Sequence, residues 1–239
     1  MGTTGGKKRL RNLNALVAVL VAVIAVLLGS MLINRGGESS TEAAESSAEQ
    51  PRNSPLDSPA RREPDDPMAM GRTDAPVVLV AYEDFRCPFC AKYATEVAPE
   101  LKKRYVETGV LRIEWRDFPV FGPQSDRAAK AGRAAARQGA FWRFHDVVYS
   151  HAPRRGKPEL PPAKLIDYAE QAGISDIERF KADMQDPAVD RAIRRDVAEG
   201  TRIGVSATPT FLVNGEPIMG AQPLSTFVST IEQARQEAR

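Results

Sequence analysis

The sequence predicts an α/β domain that runs β–α–β, then a helical insertion, then β–β–α. Three observations carry that prediction. VVLVAY (77–82) leads into a helical stripe, VLRIEW (110–115) restores strand alternation, and Asn214-Gly215 sits between the apolar runs TFLV and EPIM.

The elements follow in chain order. Lys7, Lys8, Arg9 and Arg11 precede an uncharged run from Ala15 to Ile33. Its 19 residues rise roughly 28 Å as a helix, close to the ~30 Å of a bilayer core. A cleaved secretory signal is the rival reading, but its apolar core is usually shorter and ends in an Ala-x-Ala-like site. INRGGESS offers no such site, so an uncleaved anchor over 13–33 is favoured, with the basic residues 1–12 kept in the cytoplasm and the rest outside. Residues 34–74 are rich in Ser, Glu, Pro, Ala and Gly without hydrophobic period, and they read as a flexible tether. The folded domain is therefore expected over 75–239.

Val77–Tyr82 is β-branched and apolar, as in a buried strand. Cys90, Ala94, Val97 and Leu101 then recur at helical spacing. Pro88 suits the first helical turn, which makes Cys87 the expected N-cap, and Pro99 should kink or divide the helix. Roughly residues 125–200 are Ala- and Arg-rich with helical spacing, including Phe141, Phe144, Val148 and Tyr149. Asn-Gly is a strong hairpin signal, and a last helix is expected from about Leu224 to Glu237.

The net charge of +2 gives no reason to expect a nucleic-acid partner, and two cysteines cannot build a disulfide framework. Both cysteines lie in DFRCPFC, within one helical turn. A thiolate at Cys87 would face unpaired N–H groups and the positive end of the helix dipole, with Arg86 as a nearby cation. Stabilising that thiolate stabilises the dithiol, and a dithiol of that kind is an oxidant. Cys87 is then the accessible sulfur to be attacked, and Cys90, on the buried stripe, resolves the mixed disulfide. A structural disulfide gains little from so short a loop. A zinc site would need two more ligands, and His145 and His151, the only histidines, lie more than fifty residues away. Neither a metal nor a cofactor is expected. Trp115, Phe121, Trp142 and Phe211 are assigned to the core, His145 to a partly buried helix position, and Arg154 and Arg155 to a solvated loop.

DFRCPFC after a strand, FPVFG after the second strand, a helical block ending near Gly204, then ATPTFLVNG and GAQP: in that order these resemble the thioredoxin superfamily. The resemblance is greatest to membrane-anchored DsbA-like thiol–disulfide oxidoreductases, over about Val77 to Gln236. It implies a thioredoxin-like fold with a helical insertion. It also implies that Pro209 is cis and packs on the redox pair, and that Thr208 and Pro209 contact an extended substrate. Two departures stand out. Phe89 occupies the position of a histidine in the prototype, so with Arg86 and Pro88 it is a candidate modulator of Cys87. Many relatives carry a buried acid six residues before the first cysteine, where this chain has Ala81. Glu83 and Asp84 lie nearby, as solvated or capping carboxylates or, for Glu83, as a proton-transfer group.

The expected function is an extracytoplasmic dithiol oxidase, single-pass in the cell membrane and monomeric, that passes its Cys87–Cys90 disulfide to reduced exported proteins. A membrane quinone-linked partner of the DsbB or vitamin K epoxide reductase type would reoxidise it. A disulfide isomerase or reductase, or a chaperone-like peptide-binding module, remains the alternative.

Overall fold

The structure, a computed structural model, describes residues 59–153 and 155–238. The expected basic terminus, the anchor, residues 34–58 of the tether and Arg154 lie outside the described residues. Among the described residues no helix is long and apolar enough to cross a membrane.

A five-stranded sheet has the order β1-β3-β2-β4-β5, with β1 the short strand Ala69–Met70. β2 (Val77–Glu83) and β3 (Leu111–Asp117) pair in parallel from Val77↔Leu111 to Glu83↔Asp117. β4 (Thr210–Val213) runs antiparallel to β2, and β5 (Glu216–Met219) antiparallel to β4. Asn214 and Gly215 take φ 48° and 97°, the left-handed backbone that a tight hairpin demands. Asn214 also clasps the neighbouring strand: its Oδ1 accepts from Val78 N at 2.8 Å and its Nδ2 donates to Pro76 O at 3.1 Å.

Helix α1 spans 88–106. It is α-helical over Pro88–Lys92 and Ala98–Leu101 and π-helical over Tyr93–Val97 and Lys102–Val106. Pro99 neither breaks nor ends it. A proline lacks the N–H and crowds the carbonyl one turn back. The wider turn just before Pro99, where Ala98 N reaches back to Tyr93 O, accommodates that crowding. Between β3 and β4 come α2 (Pro123–Ala136), α3 (Phe141–Ser150), α4 (Pro162–Gln171), α5 (Ile177–Asp183) and α6 (Pro187–Arg202). They form the expected helical insertion within a few residues of its expected limits. α7 (Leu224–Glu237) closes the chain.

The strand period of two sorts the core. Val77, Leu79, Ala81, Leu111 and Ile113 face α1 and α7, packing on Tyr93, Leu101, Phe227 and Ile231. Farther along that layer, Trp115 and Phe85 meet the aromatic residues of α3. Val78, Val80 and Tyr82 face the opposite side, toward Phe118, Val205 and Ala60.

The domain starts earlier than residue 75, which corrects the expected tether boundary. Ala69–Met70 forms a short strand, β1, antiparallel to the edge of β3, and Met68 is buried. Upstream, residues 59–62 lie across the second face of β3, whose Arg112, Glu114 and Arg116 alternation would ordinarily leave to water. There the Arg61 and Arg62 N–H groups donate to the two Glu114 oxygens at 2.9 and 2.8 Å. Arg112 and Arg116 bond the same carboxylate at 2.9 and 2.8 Å. Burial works against ionising Glu114, yet the Arg61 N–H and the two guanidiniums bring its pKa down to about 2. Arg61 continues to Asp196 and Glu199 on α6 at 2.7 and 2.9 Å. Polar composition suggested disorder, but these charges are paired on a face that the segment itself buries.

Candidate redox site

β2 ends at Glu83, and Asp84-Phe85-Arg86 turns the chain into α1. The Cys87 N–H donates to Asp84 O at 2.9 Å, which fixes the turn. Cys87 is the N-cap, with extended backbone at φ −78° and ψ 119°, and Pro88 follows in the first turn. That is the expected arrangement: proline's fixed φ begins the helix and its missing N–H costs nothing there. Cys90 lies one turn on, inside the core. The Thr208–Pro209 bond is cis, as the resemblance implied, and it stands over the pair: the Cys87 thiol donates to Thr208 O at 3.2 Å.

Both cysteines are free thiols in this structure, and their environments push them apart. The Cys90 thiol beside the Cys87 sulfur favours its thiolate most. Burial opposes this, while the Thr208 side chain and the N–H groups of Cys90 and Phe89 add to it, and the pKa falls to about 6. Cys90 goes the other way, raised by burial, by the hydrogen bond its thiol makes to the Cys87 sulfur and by the charge of Glu83. The expected difference in access is not found in this form. Cys87 is 1 % exposed and Cys90 0 %, because the Thr208–Pro209 segment covers the first sulfur while the core encloses the second.

Glu83 is neither solvated nor a helix cap. It lies two residues beyond Ala81, on the same face of β2, and is 2 % exposed. One carboxylate oxygen, Oε2, has no partner. Burial raises the Glu83 pKa well above the ordinary range, the Cys87 charge adds to this, and the neighbouring Cys90 and Tyr149 side chains only partly offset it. Below this group, Ala94, Thr95, Pro99, Lys102, Glu107, Asp146 and Tyr149 line a groove of about 470 Å³ between α1 and α3. The strand alternation that placed Ala81 on the buried face could have placed Glu83 there too.

Arg86 departs from its expected role. Its guanidinium donates to Pro158 O at 2.9 Å, Phe121 O at 2.8 Å and Glu159 Oε1 at 3.2 Å, so its charge is directed at two loops. Asp84, expected as a capping or solvated group, collects three N–H groups: Arg86 at 2.8 Å, Val120 at 2.7 Å and Phe121 at 3.3 Å. Among the described residues three large apolar side chains are exposed: Phe89 at 62 %, Val120 at 43 % and Met219 at 49 %. All three stand on segments bonded around Cys87. Phe89 is in the redox turn, Val120 hangs on Asp84, and Met219 pairs with Thr210 just past Pro209. Trp115 and Phe211 are core residues as expected, with Phe121 and Trp142 packed at its margin. His145 is fully enclosed, its Nδ1 2.7 Å from Asp146 Oδ1, and burial lowers its pKa. Among the described residues no His, Cys, Asp and Glu cluster could hold a metal.

Comparison with known proteins agrees with this geometry. The family model described as Thioredoxin matches residues 63–233. The "Probable disulfide bond formation protein D" of Bacillus anthracis is 31% identical over 150 residues, 62% of this chain and 69% of that protein. The Na(+)/H(+) antiporter NhaA 3 of Salinispora tropica is 35% identical over 179 residues, 74% of this chain. The chain spans only 26% of that antiporter's length. Among solved structures, oxidised BdbD from Bacillus subtilis superposes with a TM-score of 0.66 at 23% identity, covering 71% of this chain and 92% of that one. That likeness concerns the fold. With the matched family model and the disulfide-formation relative, the Cys-Pro-Phe-Cys turn under a cis-proline has one reading: the chain belongs to the thioredoxin superfamily, among its DsbA-like thiol–disulfide oxidoreductases.

Proposed function

We propose that the protein is a dithiol oxidase that introduces disulfides into exported proteins through Cys87 and Cys90. The observation that carries this reading is the split between the sulfurs: a thiolate favoured at the helix start beside a thiol whose ionisation burial opposes. A pair whose reduced form is stabilised passes its disulfide on.

In the forward reaction a client thiolate attacks Cys87 Sγ of the disulfide. The sulfur–sulfur bond breaks and its electron pair goes to Cys90 Sγ, which takes a proton from the Glu83 carboxyl. A second client thiolate, its proton lost to water, attacks the client sulfur of the mixed disulfide, and Cys87 leaves as the thiolate. The client loses two electrons and the pair gains them. Thr208 and Pro209 hold the client backbone as an added strand, beside the apolar rim of Phe89, Val120 and Met219. The electrons then pass to a membrane quinone-linked reoxidase, DsbB-like or of the vitamin K epoxide reductase type. In this reading the domain works as a monomer outside the cell membrane, held by the N-terminal segment.

Equilibration of the Cys87–Cys90 pair with glutathione tests the direction. A potential well above that of thioredoxin, about −270 mV, is the expected result. A thioredoxin-like potential, with good recovery of a scrambled-disulfide substrate, would make the protein an isomerase or reductase instead.

A further inference from the structure

We propose that Arg86 is a positioning residue. It locks the loop after β3 and the loop between α3 and α4 to the start of the redox helix, so that macromolecular clients can dock at Cys87. This rests on the oxidoreductase reading above and adds to it a residue that separates protein clients from small thiols.

The guanidinium uses its whole fork. It reaches Phe121, 35 residues along the chain, and Pro158 and Glu159, 72 and 73 residues along. Asp84 holds the first loop from the other side through Val120 N and Phe121 N. Gln124 joins the two loops: its Oε1 accepts from Leu160 N at 2.6 Å and its Nε2 donates to Glu159 Oε2 at 2.5 Å. Lys157 sits 4.4 Å over the Phe121 ring. Two loops distant in sequence thus meet on the residue immediately before Cys87, and one of them carries exposed Val120. A lysine cannot copy this, because one ammonium cannot present a planar fork to three acceptors. A small thiol needs only the sulfur. A polypeptide needs the surfaces around it as well.

The test compares the wild-type full chain with Arg86→Lys in two oxidation reactions, of dithiothreitol and of reduced, unfolded ribonuclease A. Thiolate absorbance against pH is followed in parallel. The expected kcat/KM loss is about 5- to 30-fold greater for ribonuclease than for dithiothreitol, from the loss of one or two hydrogen bonds at about 1 kcal/mol each. The Cys87 midpoint should stay at its wild-type value. Equal losses for the two substrates, no loss for ribonuclease, or a rise in the midpoint would each overturn the proposal, the last by showing that the guanidinium acts on the Cys87 thiolate itself and not only on the loops. If Arg86→Lys does not fold, Glu159→Ala removes one arm at an exposed side chain. It should show the same split at about 2–3-fold, and an equal effect on both substrates would overturn the proposal. A wild-type chain inert toward both thiols would instead sink the oxidoreductase reading.

Discussion

At the scale of single residues, Cys87, Cys90 and Glu83 set the pH behaviour. In the reduced protein, alkylation of Cys87 should follow its thiolate fraction, half-maximal near pH 6, while Cys90 stays unlabelled until the protein unfolds. Faster labelling of Cys90 would reverse the assigned roles. The same shift acts on stability. A thiol whose folded pKa lies below its unfolded value, ordinarily about 8.5, stabilises the fold fully above that unfolded value. The contribution is lost as pH falls through the folded value near 6. Melting curves should therefore show the reduced form gaining on the oxidised form as pH rises between those limits. Glu83 has the opposite sign. Its raised folded pKa gives stability that is lost as pH rises through that value. Glu83→Gln should melt higher than wild type, by a margin that widens with pH, while the client thiolate opens its Cys87–Cys90 disulfide to the mixed disulfide at least ~10-fold more slowly near neutrality. A stopped-flow rate of mixed-disulfide formation equal to wild type would remove Glu83 from the proton path.

At the scale of elements, what could be read in the sequence tracks local chemistry. Pro88, the apolar stripe from Cys90 to Leu101 and the Asn214-Gly215 turn gave α1 and the β4–β5 hairpin, because each is decided by residues a few positions apart. The π-helical turns on either side of Pro99 depend on how α1 packs against the sheet and α3, and no short window of sequence carries that. Sequence adjacency predicts Arg86 as a cation for Cys87, yet its partners are the Phe121 and Pro158 carbonyls and the Glu159 carboxylate, on two loops distant along the chain. Close packing of α6 on the sheet sets another such limit. A Cβ on Gly200 would lie 2.9 Å from both Phe118 and Tyr82, and one on Gly132 would lie 2.8 Å from Phe85. Gly200→Ala should cost about 1–3 kcal/mol by overpacking, read as a lower urea midpoint with an unchanged slope. An unshifted midpoint would mean that the two rings can move aside.

At the scale of the whole domain, the segment 59–74 is part of the fold, and a boundary drawn from composition alone would remove it. A chain beginning at 75 should lose about 3 kcal/mol or more against one beginning at 59, because it strips partners from buried Glu114, Arg116 and Asp196. Equal urea midpoints for the two chains would show that water replaces the segment without penalty. The grip on Glu114 also has a mechanical consequence. Tension applied to the chain before Pro59 loads the backbones of Arg61 and Arg62, which hang on a carboxylate within β3, and the Arg61 side chain on α6. Those attachments share the load in parallel and must fail together, whereas the two-residue β1 at the sheet edge would unzip one bond at a time. The load path runs over the face of the sheet opposite α1. A pull from the N-terminal side is thus borne by the sheet before it can reach the redox helix.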